Sequence, residues 1–346
     1  MQVQQNYSLK GYNTFGVEAY AKYFGVFTSV DELSDLLTPD QDHNLQMTTF
    51  ILGGGSNILL TKNYDGLVLK NDIKGIHTIH EDEDHIYIKV GAGENWHQFV
   101  MHCVKNNFSG VENLSLIPGN IGASSMQNIG AYGVEVKDVF HSLEAFHIKE
   151  KRIVNFTLND CGFGYRESVF KKMYKDQFAI LNVTFRLNKK PQYNTSYGAI
   201  KEELETMGVK DLSIQAISQA IINIRSSKLP DPNVIGNAGS FFKNPEVSEH
   251  QFQKLKRINP NAIGYVLNNG KVKLAAGWLI EQCGPENGTS WKGFRRGDAG
   301  CHERQALVLV NYGNASGKEI YDLSTEIKQS VIQKFDVELE REVNII

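Results

Sequence analysis

Two glycine-rich stretches in this chain of 346 residues have the composition to hold a ligand by its backbone. One is Gly53-Gly54-Gly55-Ser56-Asn57. The other spans residues 117–133, Ile-Pro-Gly-Asn-Ile-Gly-Ala-Ser-Ser-Met-Gln-Asn-Ile-Gly-Ala-Tyr-Gly. Segments so poor in bulk do not build a core. They let the chain pass close to another group and turn N–H donors toward it. Two of them in one half of the sequence point to a phosphate-bearing cofactor held by backbone donors. Neither carries a familiar phosphate fingerprint. Gly53–Asn57 runs into Ile58-Leu59-Leu60, an apolar strand rather than a helix, and no Gly-Lys-Ser/Thr follows. Taken alone, the first loop is equally well explained as a tight hairpin turn.

Two further groups carry reactive side chains. Gly164-Tyr165-Arg166-Glu167-Ser168 sets a phenol beside a guanidinium in a turn. Arginine suits two-pronged binding of carboxylate or phosphate, although a surface arginine packed on its neighbour fits the same sequence. In Gly239-Ser240-Phe241-Phe242 a hydroxyl stands at the rim of an apolar pocket. Without a Gly-x-Ser-x-Gly elbow it is not expected to transfer acyl groups. A proton-donating serine stays open.

The elements that position these groups follow from periodicity. Ser29 to Glu32 reads as a capping box opening a short helix through Leu37, and Met47-Thr48-Thr49-Phe50-Ile51-Leu52 as the strand feeding the first loop. Ile86, Ile88 and Val90 alternate as a half-buried strand. Trp96, Phe99, Val100, Cys103 and Val104 then mark one face of a helix, with Cys103 a core thiol and His97 and His102 at its margins. Residues 178–185 predict a strand and 193–198 an aromatic loop. Ile214, Ile217, Ile221 and Ile224 predict a helix that Pro230 and Pro232 stop. Arg225 and Lys228 at its C-terminal end complement the helix dipole. Residues 274–281 predict a close-packing helix, and 302–311 a polar tip turning into a buried strand. Ser316 to Glu319 reads as a capping box for a helix with Ile320, Leu323, Ile327 and Val331 inward. Residues 337–346 alternate as a closing strand with acidic polar members.

Composition narrows the class. Hydrophobic residues at 41% and charged residues at 22% are ordinary for a soluble globular chain of two or three domains. A net charge of −3 argues against a general nucleic-acid binder. Four dispersed cysteines with no Cys-x-x-Cys fit a reducing cytoplasm and no metal site. The stretch Met1-Gln2-Val3-Gln4-Gln5-Asn6 shows no targeting pattern, and no apolar run reaches membrane-spanning length. The expectation is a cytoplasmic protein, a monomer, without membrane or nucleic-acid partners.

Taken together in this order, the motifs resemble one family. They are Gly53 to Asn57, residues 117–133, Gly164 to Ser168, Lys228-Leu229-Pro230-Asp231-Pro232 and Gly236-Asn237-Ala238-Gly239-Ser240-Phe241-Phe242-Lys243-Asn244-Pro245. Ala275 to Ile280, His302 to Asn311 and Leu339-Glu340-Arg341-Glu342-Val343 follow. The chain is similar over most of its length to the UDP-N-acetylenolpyruvoylglucosamine reductases, flavoenzymes that make UDP-N-acetylmuramate for peptidoglycan. Tyr197 in its long loop matches the first of the family's two types.

The resemblance implies an α+β fold: an FAD-binding fold of the vanillyl-alcohol oxidase kind in two subdomains, plus an α/β substrate-binding domain. The implied divisions are 1–72, then 73–227 with a returning strand at 337–346, then 228–336. The implied cofactors are FAD and NADPH, and the implied substrate is UDP-N-acetylglucosamine enolpyruvate. NADPH reduces FAD and leaves. The enolpyruvyl ether then accepts hydride from flavin N5 at C3 and a proton at C2. Ser240 matches the family's proton donor, Arg166 the holder of the substrate carboxylate, and Glu342 the acid that helps polarise it. A serine is a weak acid, so its neighbours must assist. Tyr165, Tyr197, Lys228, Asn244 and Gln305 match substrate-binding positions, with Lys228 now a diphosphate ligand and Arg225 structural or in an outer shell. The FAD cradle would comprise Gly53, Gly54, Gly55, Ser56, Asn57, Ile117, Pro118, Gly119, Gly122 and Ala123, with Asn128, Ile129 and Gly130 running toward the flavin ring. This chain departs from the pattern at Asn120, Ser124 and Asn344, the last standing where relatives often carry arginine.

Two other readings compete. A flavin alcohol oxidase of the same fold often attaches FAD through His or Cys near the phosphate loops, and neither loop contains one. A non-enzymatic nucleotide-sugar binder gives no reason for Ser240, Arg166 and Glu342 to occur together.

Overall fold

Alternating apolar residues build the larger sheet. In a computed structural model, which describes residues 3–38 and 47–346, Ile86, Ile88 and Val90 face inward from the strand His85–Gly91. The first two residues of the N-terminal stretch lie outside the described set. The strand His85–Gly91 sits in a five-stranded sheet ordered Arg152–Thr157, Phe140–His147, Phe178–Asn188, His85–Gly91, Ile76–Glu81, antiparallel throughout. The helix Trp96–Lys105 buries all five expected residues against it, Cys103 included. A buried Phe side chain contributes about 1.5–3 kcal/mol, so Trp96, Phe99 and Phe185, ring against ring, anchor this layer.

A second, four-stranded sheet runs Gln4–Ser8, Tyr20–Phe27, Tyr64–Asn71, Thr49–Leu52. Its helix Val30–Leu36 is capped by Ser29, which accepts from Glu32 N–H. The Glu32 carboxylate takes Thr28 instead of closing the reciprocal bond to Ser29. Thr49–Leu52 pairs in parallel with Tyr64–Asn71, while Ile58–Leu59 pairs with Asn344–Ile345. The loop at residues 53–57 is therefore no hairpin turn, because the strands on its two sides are not partners.

The chain divides into two compact units. The first comprises the described residues of 1–7, 21–55 and 65–227, and the second residues 8–20, 56–64 and 228–346. Two expectations change. Residues 8–20 and 56–64 leave the expected first subdomain for the second unit. The C-terminal segment, expected to return to residues 73–227, instead buries Val337, Leu339 and Val343 in the second unit's core. The reason is apolar: that core gathers Phe241, Phe242, Leu279, Trp291 and the inward face of the helix Gly317–Phe335, and the alternating side chains of 337–343 complete it. Burial there keeps period two, but only Asn344–Ile345 forms a ladder. Within this unit a four-stranded sheet runs Gly236–Ser240, Val308–Asn311, Ala299–Cys301, Arg295–Arg296, and a three-stranded one Glu246–Ser248, Lys271–Leu274, Gly264–Val266. Leu274 ends the latter's central strand, so the helix expected from residue 274 begins at Ala276. No helix among the described residues is long and apolar enough to cross a membrane.

Candidate functional site

In the first unit the two glycine loops lie against each other. A Cβ at Gly54 would stand 2.6 Å from Asn120 Oδ1 and 2.9 Å from Gly119 Cα, so only glycine allows this approach. At Gly53 the nearest atoms to such a Cβ are Ala123 Cβ at 3.9 Å and Asn120 Cβ at 4.0 Å, which leaves that side more open. Asn120 donates to Gly93 O at 2.8 Å and Ser124 to Ile121 O at 2.6 Å, so both departures from the family pattern are used inside the protein. Gly122 serves packing: its N–H bonds Ala92 O, and a Cβ there would meet Ala92 Cβ at 3.0 Å.

This cradle fits a phosphate-bearing cofactor on two observations. The two glycine-rich loops meet at Gly54 and Gly119, where a Cβ on Gly54 has no room. Ser125, on the helix Ile121–Met126 that the second loop opens, has a buried hydroxyl with no hydrogen-bond partner among the described residues. An orphaned buried hydroxyl costs desolvation energy unless a bound group meets it.

The same segment then builds the mount for Arg166. Asn128, fully buried at φ +43°, donates to Gly164 O at 2.9 Å and to Glu135 Oε2 at 3.1 Å, and accepts from Lys137 N–H at 3.0 Å. Its amide is thus engaged in holding the Arg166 turn, and Ile129 packs into the core. Gly164 and Glu167 exchange both backbone bonds, leaving Tyr165 and Arg166 at the tip with Arg166 at φ +58°. Arg166 donates from Nη2 to Gly130 O at 2.7 Å, and its guanidinium lies 5.5 Å from the Tyr165 ring centre. A Cβ at Gly130 would fall 3.1 Å from Arg166 Nη1. The surface-arginine alternative therefore gives way: Arg166 is half-buried in a strained turn that its neighbours over-determine.

Residues 130–135 close as a hairpin with Tyr132 and Gly133 both at positive φ, +50° and +81°. Sequence reading passed over Tyr132. Tyrosine pays for this backbone, and Asn113 holds it, donating to Tyr132 O at 3.0 Å and Asn194 O at 2.9 Å. The Tyr132 ring meets the Tyr197 ring edge-on, 5.3 Å between centres. Tyr197 itself stays 47% exposed on its loop.

In the second unit Ser240 ends the strand Gly236–Ser240, paired with Val308. A register shift between Asn237 and Ser240, with Gly239 at φ +69°, makes a bulge that re-aims the residue after it. Asn237 stabilises the bulge by accepting from Gly239 N–H at 3.0 Å. Ser240 is half-buried, and Phe241 and Phe242 behind it are in the core, as the apolar-rim reading required. The C-terminal segment runs alongside: Glu342 N–H donates to Phe241 O at 2.9 Å, Phe242 bridges to Arg341, and Lys243 N–H donates to Glu340 O. Ser240 and Glu342, a hundred residues apart in sequence, are thus brought onto adjacent stretches of chain. Ser56 and Asn57 fall in this unit rather than with Gly53–Gly55. Asn57 donates to Glu342 O at 3.3 Å and accepts from the Asn344 side chain at 2.9 Å, which gives Asn344 a structural use in place of an added cation.

Asn244 accepts from Ala276 N–H at 3.0 Å at the start of the helix Ala276–Glu281. Gln305 Oε1 would lie 2.8 Å from a Cβ at Gly277, so this glycine makes room for it. Lys228 is exposed at the end of the helix Ile214–Lys228. Among titrating groups, burial lowers His97 and His302 and pushes the Cys301 thiol up to about 12. All four cysteines are buried and free, and no group of residues suited to a metal ion occurs among the described residues.

Residues 21–155 match a family model described as an FAD binding domain, and residues 231–346 match the C-terminal domain of UDP-N-acetylenolpyruvoylglucosamine reductase. The protein of that name from Flavobacterium johnsoniae is 48% identical over the whole of both chains. The one from Amoebophilus asiaticus is 50% identical, again over the whole of both. The crystal structure of the Thermus caldophilus reductase superimposes with a TM-score of 0.68 over 100% of this chain and 99% of its own, at 23% identity. Full-length identity at this level settles the membership, and this chain belongs to the UDP-N-acetylenolpyruvoylglucosamine reductase family.

Proposed function

We propose that this chain, an FAD-dependent oxidoreductase of peptidoglycan precursor synthesis, reduces UDP-N-acetylglucosamine enolpyruvate to UDP-N-acetylmuramate with NADPH as the electron source. The observation that carries the catalytic part is the run of backbone bonds, Glu342 N–H to Phe241 O and Lys243 N–H to Glu340 O, that draws the segment bearing Glu342 alongside the residues after Ser240. Bound FAD supplies the hydride acceptor and donor. The remaining work belongs to the protein. Gly53 to Gly55, residues 117–123 and the Ser125 hydroxyl hold the cofactor. Arg166, fixed through Gly130 O, holds the substrate carboxylate, where negative charge accumulates as the double bond is reduced. Ser240 delivers the proton that completes the saturated carbon, and Glu342 acts on the carboxylate side. Tyr165, Tyr197, Lys228, Asn244 and Gln305 bind the sugar nucleotide.

The division of labour explains why the carboxylate holder is an arginine. A fork of donors fixes the plane of the enolpyruvyl group, whereas a lysine would fix only its distance. Ser240 on a bulged strand end has a direction set by backbone rather than by rotamer freedom alone. The protein acts as a monomer in the cytoplasm.

Anaerobic mixing tests this reading. Protein reduced with NADPH is mixed with the enolpyruvyl sugar nucleotide while flavin absorbance is followed. The oxidised spectrum should return within turnover time. Failure to return, with FAD bound and NADPH having bleached it, excludes this substrate. A flavin alcohol oxidase would instead be bleached by an alcohol without NADPH.

A further inference from the structure

Arg225 is left without a role by everything above. It lies in the last turn of the helix Ile214–Lys228, whose Ile217, Ile221 and Ile224 pack with Ile200 and Leu204. Tyr132 packs against that same cluster. The Nε of Arg225 is shut off from solvent and has no hydrogen-bond partner among the described residues. The charged and titrating groups that bear on it are Tyr132 and Arg166, and no carboxylate is among them. His97, whose Nδ1 accepts from Leu116 N–H at 3.0 Å just before the second glycine-rich segment, feels its charge as well.

The bland account is a helix-dipole complement. The dipole offers a partial charge at the helix end but no acceptor for a buried N–H. Guanidinium stays protonated in proteins, so neutralisation is not an escape. A second guanidinium nearby makes the locus worse for a cation until an anion arrives. The surroundings are costly to build: Arg166 and Tyr132 both hold left-handed backbone, each tied down by side-chain amides. Strain of this kind persists where a ligand is to be met.

We propose that Arg225 and Arg166 form a two-guanidinium subsite in the first unit, in which Arg225 binds an anionic oxygen of the bound ligand. The inference rests on the reductase reading. The oxygen belongs either to the sugar nucleotide, through its carboxylate or diphosphate, or to the flavin cofactor in its reduced, anionic form.

The test uses FAD-loaded protein carrying Arg225→Gln, with Arg225→Lys as the charge-retaining control. Both are checked for wild-type melting temperature. UDP-N-acetylglucosamine enolpyruvate and UDP-N-acetylglucosamine are titrated separately, by calorimetry and by the flavin spectrum, and the flavin midpoint potential is measured without either. If the substrate carboxylate is the partner, Arg225→Gln weakens the enolpyruvyl ligand about 30-fold or more and leaves the ligand lacking it unchanged. Equal weakening of both assigns the diphosphate. A lowered midpoint potential with both affinities unchanged assigns the cofactor. In each case Arg225→Lys should recover part of the loss. A folded Arg225→Gln variant with both affinities and the potential at wild-type values overturns the proposal, as does a loss that Arg225→Lys shares in full. Failure of the reductase reading looks different: wild-type protein itself would not tell the two ligands apart.

Discussion

Arg166 in the first unit is held by loops, and Ser240 in the second by a ladder. Around Arg166, three residues other than glycine take left-handed backbone: Asn128, Tyr132 and Arg166 itself. Their positions are maintained by side-chain amides reaching carbonyls, from Asn128 to Gly164 and from Asn113 to Tyr132. Around Ser240 the strand pairing with Val308 does the positioning, and backbone bonds such as that from Glu342 N–H to Phe241 O bring the C-terminal segment alongside. Loop mounts depend on a few polar contacts that each can be cut. Ladder mounts share the load among many backbone bonds. Substituting a supporting residue should therefore damage the first unit's function more than its stability, and the reverse should hold in the second.

Ser240→Ala probes the ladder side with the largest effect. The strand stays, since Phe241 and Phe242 anchor it, and only the hydroxyl is lost. Loss of a positioned proton donor costs about 10²–10⁴-fold. Stopped-flow absorbance should show NADPH bleaching the flavin at the wild-type rate while the enolpyruvyl substrate restores it that much more slowly. A normal second phase removes Ser240 from the mechanism.

Gly130→Ala probes the loop side. The new Cβ would sit 2.9 Å from Glu135 Cγ and 3.0 Å from Val134 O, as well as 3.1 Å from Arg166 Nη1. The hairpin must shift, and the arginine with it. A displacement of about 1 Å at a binding group can cost up to about 100-fold, so the second half-reaction should slow by about 10- to 100-fold with the melting temperature little changed. If stability falls and the rate does not, the contrast between the two mounts is wrong. Gly54→Ala acts one step further from the chemistry. Its Cβ meets backbone at Gly119, which cannot swing away, and overpacking of that kind costs about 1–3 kcal/mol. Flavin fluorescence released on dilution should show weaker retention of FAD.

The contrast also explains what could be read from the sequence. Period-two and period-3.6 patterns revealed the helix Trp96–Lys105, the strand Phe178–Asn188 and the helix Gly317–Phe335, because burial alone places those residues. Motif order then identified the family. The working of the loops was not legible. Asn128 and Asn57 read as cofactor contacts, and the sequence did not show the further use of each: Asn128 pins the Arg166 turn and Asn57 bonds the segment carrying Glu342. A short amide offers the same letters for either use, and only the three-dimensional neighbour decides. Tyr132 went unnoticed because a left-handed tyrosine leaves no periodic trace; its one signal was the following Gly133, which favours a two-residue turn. The C-terminal segment was misgrouped for a related reason. Its alternation announced burial without saying against which core.

Ser316→Ala is the smallest change and tests whether the second unit's helix acts on stability alone. Ser316 caps the helix Gly317–Phe335 by accepting from Glu319 N–H at 3.2 Å, and the Glu319 carboxylate accepts from Ser316 N–H at 2.8 Å and Oγ at 2.7 Å. Those bonds favour the ionised carboxylate and hold Glu319 below its ordinary range, the backbone bond to Ser316 first among the causes. A carboxyl lowered in the folded state stabilises the fold above its unfolded pKa. That contribution disappears as pH falls through the folded value. Losing the cap costs about 1 kcal/mol at neutral pH. The difference from wild type, measured by denaturant unfolding, should shrink as the solution is acidified below the ordinary glutamate range, because wild type loses the ionic part of the cap there too. Both flavin half-reactions should keep their rates. A changed half-reaction would mean that this helix, far along the chain from Ser240, does more than complete the core against which Val337, Leu339 and Val343 pack.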